Sequence, residues 1–355
     1  MKNSPPATLK TVAEACGLAV TTVSRALNGH TDIAISTRKK VQDKANEIGY
    51  VPNRQGQALR TGQTHMVSLV VPSHAAISGY TSSIIFSMGA VLRDKGYELS
   101  ALPAYPDQDE LGLIRSIVEN RRADGIILTS IKPQDIRVRY LLEKGIPFVT
   151  HGRTELASAH AYVDFDNERF AEWAAARLIQ KGRRRLMLIG PAEELTYANH
   201  MNLGYRRAVN QALVDTVSAP RDLYLESSLD VLREEFRKIV LSAKRPDGII
   251  CGGELAALAV TAAIRDAGLE PEKDISIVAK QTSSALDHTH PPIDTCHEDI
   301  NATGSLLAEA LIALIRQEKT ATELTTVIKP DIRWRTEPTE TQPVQNIQLA
   351  RRSNE

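Results

Sequence analysis

Thr8–Asn28 reads TLKTVAEACGLAVTTVSRALN. Leu9, Val12, Ala13 and Cys16 fall at i, i+3, i+4 and i+7, which is one apolar helical face, and Thr8 stands where its hydroxyl can cap the start. Gly17 ends that helix. After the turn Gly17-Leu18-Ala19, a second helix from Val20 to Asn28 is expected to bury Val23 and Leu27. Thr21, Thr22, Ser24 and Arg25 are left open to solvent or a ligand, and Gly29 ends the helix. A third helix from about Ser36 to Glu47 sets Val41, Ala45 and Ile48 on one face and stops at Gly49. Two short helices joined by a glycine-containing turn and packed under a third form the unit whose second helix enters the DNA major groove. Arg25 can donate two hydrogen bonds to guanine O6 and N7, Thr21 can bond a base edge, and Val20 can touch a thymine methyl. A small helical packing module with a solvated polar face fits the helix pattern equally well.

The charge distribution around this stretch is uneven. Residues 1–62 hold nine Lys/Arg against four Asp/Glu, a balance of +5, so in a chain of zero net charge the remainder carries −5. A basic head on an acidic body suits contact with a polyanion. At 355 residues the chain is long enough for two or three compact units, and 42% hydrophobic with 24% charged residues is the balance of a globular protein. No apolar run is long enough to span a bilayer and the start lacks the apolar stretch of a secretion signal, so the expected location is the cytoplasm with no membrane partner. Cys16, Cys251 and Cys296 are far apart and lack ligand spacing, which predicts buried thiols and neither a disulfide framework nor a metal site.

Thr8–Asn28, followed by TRKKVQDKANEIGYVPNRQGQALRTG over 37–62, resembles the lactose repressor/galactose repressor family of transcription regulators. The TTVSRALN helix and the GYVPN…ALR stretch carry the likeness, and they settle the choice between DNA reader and packing module. The resemblance implies that Val20, Thr21 and Arg25 read bases. It also implies that Thr8, Thr22, Asn28, Thr37, Tyr50 and Asn53 hold the DNA backbone. Asn53–Thr61, within a hinge and linker over 51–62, then resemble the family's hinge helix, which folds when two subunits meet on DNA, with Leu59 as a minor-groove wedge and Arg54 and Arg60 near phosphates. Gly56 weakens that helix by up to roughly 1 kcal/mol relative to Ala, which keeps it disordered off DNA. Ala34 stands where the family usually has a capping hydroxyl, so the cap of the third helix is expected to shift to Ser36.

Past Gly62 the pattern becomes short apolar runs, each followed by amphipathic material: Val67–Val71, Gly125–Thr129, Pro147–Thr150, Leu186–Gly190, Gly248–Cys251 and Ile275–Ala279. This alternation predicts doubly wound α/β units with ligands at the carboxyl ends of parallel strands. RRADGIIL at 121–128 and KRPDGIIC at 244–251 read as one strand entry used twice, in two similar lobes. KDISIVA and PPIDTCHEDI continue the family resemblance. They imply a core like the type I periplasmic sugar-binding proteins over 63–337, with chain crossings near 162, 292 and 326 and a ligand between the lobes. The expected organisation is an all-α helix-turn-helix head over 1–50, the hinge over 51–62, this two-lobed core, and a disordered tail over 338–355 without leucine heptads.

Cleft candidates lie just after the strands: Ser73, Tyr80, Thr81, His151, Arg153, Asp164, Asn199, His200, Gln281 and Glu298. Tyr80 can stack on a sugar ring, while Arg153, His151 and the acids and amides can bond its hydroxyls. Three usual family anchors are altered. Met201 stands for an arginine, Gly253-Glu254 for an Asn-Asp pair and Gln281 for an acid, which leaves His151-Gly152-Arg153 to share the anchoring. The expected function is operator binding as a homodimer, repression by family default, with affinity set by a small effector, a carbohydrate by family habit; no cofactor is implied. The rival readings are a sugar-active enzyme or a transport-type binding protein on the same α/β fold. Against the first, the chain has no GxGxxG after an opening strand, no GxxxxGK[ST] loop and no GxSxG elbow. The basic head speaks against the second.

Overall fold

The computed structural model describes residues 7–51, 62–72, 78–105 and 109–336. The chain divides into two compact units, Met1–His65 and Met66–Glu355. The expected hinge residues Asn53, Arg54, Gly56, Leu59 and Arg60, the cleft candidate Ser73 and the tail over 338–355 lie outside the described residues.

The first unit holds α1 (Leu9–Cys16), α2 (Val20–Leu27) and α3 (Ile35–Glu47). Thr8 caps α1 through a reciprocal box with Thr11, and Gly17 closes it in the left-handed region at φ 65°. Val12, Ala13, Cys16, Val23, Ala26, Val41 and Ala45 form the core, with Leu9, Leu27, Ile48 and Tyr50 packed on its rim. Two expectations shift. The buried pair of α2 is Val23 and Ala26, three apart on one face, whereas Leu27 sits half-buried beside them. The Ser36 cap does not form: α3 starts at Ile35 with Ala34 in the cap position, without a side-chain hydrogen bond, and the Ala34 carbonyl already accepts from Arg38 N at 3.0 Å. A hydroxyl cap contributes only about 1 kcal/mol, less than the burial of Val41 and Ala45 that fixes the helix in place.

The second unit is built from two six-stranded sheets. Its elements run β1 (Met66–Pro72), α4 (Ser78–Asp94), β2 (Glu98–Ala104), α5 (Glu110–Glu119), β3 (Gly125–Leu128), α6 (Ile136–Lys144), β4 (Phe148–His151), β5 (Ala161–Phe165) and α7 (Asn167–Gln180). They continue with β6 (Arg185–Ile189), α8 (Thr196–Ala212), β7 (Asp215–Thr216), α9 (Leu229–Leu241), β8 (Gly248–Cys251), α10 (Glu254–Asp266), β9 (Ser276–Gln281), β10 (Asp294–His297), α11 (Ile300–Ile315), β11 (Thr325–Ile328) and β12 (Asp331–Arg333). The first sheet has the order β11-β5-β4-β3-β1-β2 and is parallel throughout; the second has the order β12-β10-β9-β8-β6-β7, with only β12 antiparallel. All six apolar runs expected as strands are strands, and the central ones are buried on both faces, as a parallel sheet flanked by helices requires. The repeated DGII motif takes the same place twice: Gly125 pairs with Val67 of β1, and Gly248 with Leu186 of β6.

The chain passes from the first lobe to the second after β5, returns between β10 and α11, and crosses again between β11 and β12. These points, near 166, 298 and 329, lie a few residues beyond those expected, because each strand runs on to the end of its ladder before the chain leaves the sheet. Helix pairs approach closely where glycine allows. A Cβ on Gly204 of α8 would stand 1.9 Å from Glu168 O of α7, and one on Gly304 of α11 would stand 2.0 Å from Ser87 Oγ of α4.

Candidate functional site

A cavity of about 330 Å³ opens between the two lobes of the second unit, at the carboxyl ends of the strands. From the first lobe it receives Pro72 at the end of β1, Thr129, Ser130 and Ile131 after β3, His151 and Arg153 at the end of β4, and Asp164 and Phe165 at the end of β5. From the second come Thr196, Tyr197 and His200 on the first turns of α8, Gly252, Gly253 and Glu254 after β8, and Lys280 on β9. In both sheets the first strand pairs with its successors on either side, so the chain leaves in opposite directions and opens the crevice in which doubly wound folds bind ligands.

The walls are held before any ligand arrives. Asp135 and Arg137 pair in the interior, and Arg137 Nη2 donates to the carbonyls of Ser130 (2.9 Å) and Thr129 (3.3 Å). This fixes the loop after β3 although Ser130 lies at φ 53°, a conformation that costs a non-glycine residue roughly 1 kcal/mol or more. Arg153 Nε donates to Asp164 Oδ2 at 2.6 Å. A longer chain of contacts joins the lobes. The Tyr80 hydroxyl meets His151 Nδ1 at 2.5 Å with the rings stacked, His151 Nε2 stands 3.4 Å from Glu298 Oε1, and Glu298 Oε2 stands 3.0 Å from Lys280 Nζ. Lys280 Nζ in turn donates to Asn167 Oδ1 at 3.2 Å and lies over the rings of Phe165 and Tyr197.

Protonation states follow from burial and neighbours. Burial works to raise the Glu298 pKa, but Lys280 and the hydrogen-bonded His151 outweigh it and hold the carboxyl at about 2. Burial, and then the neighbouring carboxylates Glu298 and Glu226, push Tyr80 and Tyr197 well above the usual phenol range, so both keep their protons. Burial lowers the His200 pKa despite nearby Asp164, which favours neutral imidazole. Two buried atoms on the wall, Thr196 Oγ1 and His200 Nδ1, have no hydrogen-bond partner among the described residues. A buried polar group without a partner is costly, so these atoms mark a wall shaped for one.

Of the ten cleft candidates, Tyr80, His151, Arg153, Asp164, His200 and Glu298 line this cavity. Thr81, Asn199 and Gln281 do not. Thr81 lies half-buried on α4, Asn199 is exposed and bonds Glu155, and Gln281 is fully buried, holding Ser283 O and Asp287. Sequence reasoning missed Lys280, Tyr197, Asn167, Glu226 and the Thr129-Ser130 pair. Met201, expected to leave an anchor unfilled, is fully buried in the core beneath α8 and touches no ligand space; Gly253-Glu254 does line the cavity.

In the first unit, Val20, Thr21, Arg25 and Asn28 are exposed, while Thr22, Thr37 and Tyr50 are half-buried. Thr8 engages Thr11 in the cap, Asn28 Nδ2 donates to Ser24 O at 2.6 Å, and the Arg25 guanidinium pairs with Asp32 on the turn after α2. The α2 face thus presents a valine methyl group, a hydroxyl and a guanidinium side by side, the set that reads base edges in a major groove.

A helix-turn-helix head followed by a two-lobed binding core defines a DNA-binding transcription regulator. Residues 8–53 match the model of bacterial regulatory proteins of the lacI family, and residues 175–336 match that of periplasmic binding protein-like domains. The HTH-type transcriptional regulator AglR of Rhizobium meliloti (strain 1021) is 32% identical over 323 residues, covering 86% of this chain and 87% of the relative. The HTH-type transcriptional regulator CelR of Thermobifida fusca is 28% identical over 323 residues, covering 88% and 93%. Among solved structures, a transcriptional regulator CelR–cellobiose complex superposes with a TM-score of 0.67 at 25% identity, covering 92% of this chain and 98% of that one. The lac repressor dimer bound to operator and the anti-inducer ONPF superposes with a TM-score of 0.79 at 19% identity, covering 92% and 98%, and shows the fold. The chain belongs to the lacI family of bacterial regulatory proteins. Among the described residues no helix is long and apolar enough to cross a membrane, and no group of three or more His, Cys, Asp or Glu could hold a metal ion.

Proposed function

We propose that this regulator is a cytoplasmic repressor that binds a pseudo-palindromic operator as a homodimer and releases or tightens its grip when a carbohydrate fills the cavity between its lobes. The observation that carries the carbohydrate reading is the cavity wall itself. Stacked Tyr80 and His151 offer a ring face, and Arg153, Asp164 and Glu298 stand around it as donors and acceptors for hydroxyl groups. The relative solved with cellobiose supports the same class.

The residues proposed to meet DNA are Val20, Thr21 and Arg25 at bases, Thr8, Thr22, Asn28, Thr37, Tyr50 and Asn53 at the backbone, Leu59 in the minor groove, and Arg54 and Arg60 at phosphates. The proposed organisation is head over 1–50, hinge over 51–62 and core over 63–337. Selection of bound duplexes from a random-sequence pool by the full chain tests this reading. Enrichment of an inverted repeat is expected; recovery of DNA without a shared sequence would contradict it.

A further inference from the structure

Around the cavity, among the described residues, stand two permanently cationic side chains, Arg153 and Lys280, and four carboxylates, Asp164, Glu226, Glu254 and Glu298. Both cations are already matched. Lys280 Nζ lies 3.0 Å from Glu298 and 3.2 Å from Asn167, between two aromatic rings, with its side chain only 12% exposed; Arg153 Nε is 2.6 Å from Asp164. The acidic residue on the α10 wall, Glu254, accepts from Thr282 N (3.3 Å), Ser283 N (3.1 Å) and the Ser283 hydroxyl. Neither histidine adds an unmatched cation: burial biases His200 to its neutral form, and His151 already faces Tyr80 and the Glu298 carboxylate.

One feature pulls the other way. The first turns of α8 and α10 face the cavity, and neither helix has a side-chain cap. An exposed helix N-terminus carries roughly half a positive charge, so two of them offset about one of the two excess carboxylates. Glu254, the first residue of α10, already places a carboxylate at one of these ends. Every cationic side chain at the cavity, among the described residues, thus already faces a carboxylate of the chain. At the α8 end the Thr196 N–H already donates to Ile131 O (2.8 Å) and the Ala198 N–H to Leu195 O (3.0 Å), so part of that end is taken by the protein itself.

We propose that the cavity takes an uncharged polyhydroxylated ligand and discriminates against the phosphorylated or carboxylated form of the same sugar. This deepens the carbohydrate reading and rests on it. An added phosphate would have to displace Glu298 from Lys280 or Asp164 from Arg153, leaving a buried carboxylate without its cation, or else sit among like charges. A hydroxyl group needs neither, because it donates to the carboxylates where they stand. Thr196 Oγ1, itself 2% exposed and without a partner among the described residues, is a neutral group of the same kind.

The test uses the full chain in a thermal-shift screen followed by titration calorimetry, with glucose, maltose, cellobiose and raffinose run beside glucose 6-phosphate, maltose 6-phosphate, cellobiose 6-phosphate and gluconate. The expected result is that at least one uncharged saccharide binds, and that its charged counterpart binds at least tenfold more weakly, a gap of about 1.4 kcal/mol or more. In a Glu254→Gln chain, which keeps the hydrogen bonds of that wall but lowers its charge, the gap narrows. A charged member binding as tightly as its neutral parent, or more tightly, overturns the inference while leaving the carbohydrate reading in place. Binding by no member of either set overturns both.

Discussion

Glu298 Oε2 lies 3.0 Å from Lys280 Nζ in the second lobe, while the other oxygen of the same carboxylate stands 3.4 Å from His151 Nε2 in the first. The residue itself sits on the crossing between β10 and α11, where its backbone N–H donates to Gln281 O at 2.9 Å. One carboxylate therefore ties both walls of the cavity to a segment where the chain crosses between the lobes.

Removing that charge leaves Lys280 buried beside two aromatic rings without its anion. Glu298→Gln is expected to cost about 3 kcal/mol of stability, at the low end for a broken buried pair because the amide still hydrogen-bonds. Urea unfolding followed by tryptophan fluorescence measures it. The double replacement Glu298→Gln with Lys280→Met recovers most of the loss, and a double variant as unstable as the single one would show that the pair is not coupled.

Acid stability carries the same signature. Glu298 titrates near 2 in the folded chain against an ordinary carboxyl value of 4.5. Its contribution, of order 3 kcal/mol, is therefore complete above about pH 4.5 and disappears as the pH falls toward 2. His160 and His200, both lowered first by burial, add an earlier loss as the pH drops below about 6.5, because the unfolded chain takes up those protons more readily. Urea midpoints between pH 8 and 3 should fall in two stages, and Glu298→Gln should flatten only the lower one.

Arg25 is half exposed and pairs with Asp32 on the surface, an interaction worth at most about 1 kcal/mol to the fold. Arg25→Ala is thus expected to leave thermal unfolding unchanged. Loss of two hydrogen bonds to a guanine is expected to weaken binding to the selected operator by about 1–3 kcal/mol, or about five- to 150-fold, in fluorescence anisotropy. An unchanged dissociation constant would remove Arg25 from the base-reading set.

Gly204→Ala places a methyl carbon 1.9 Å from Glu168 O, and backbone cannot swing aside as a flexible side chain can. The expected cost is about 1–3 kcal/mol, from the forced separation of α7 and α8, read as a lower urea midpoint. Tyr197 and His200 lie on the same α8, so effector affinity falls with it.

The strands were legible in the sequence because a strand buried on both faces reads as a continuous apolar run, and the head because glycine stops punctuate its helical periods. The cleft candidates that do not line the cavity missed it by one residue. Each of the three misplaced candidates is the immediate neighbour of a residue that does line the wall: Thr81 beside Tyr80, Asn199 beside His200, and Gln281 beside Lys280. On β9 a step of one residue turns the side chain to the opposite face, and on α4 and α8 it turns it by about 100°. Position after a strand gives the end of the sheet at which a residue lies; which of two neighbours faces the ligand depends on register and helix rotation. The Glu298–Lys280 pair was hidden for a different reason, since 18 residues separate its members and only the adjacency of β9 and β10 brings them together.

If occupancy of the cavity changes the hold of the head on DNA, one titration reads it. The operator recovered by selection is bound to the full chain and followed by fluorescence anisotropy, with and without a saturating amount of the saccharide that stabilises the protein. The expected change in operator dissociation constant is roughly five- to 150-fold, the usual span of allosteric coupling, matched by the same factor in saccharide affinity when DNA is present. Identical operator binding at saturating saccharide would show that the cavity does not act on the head.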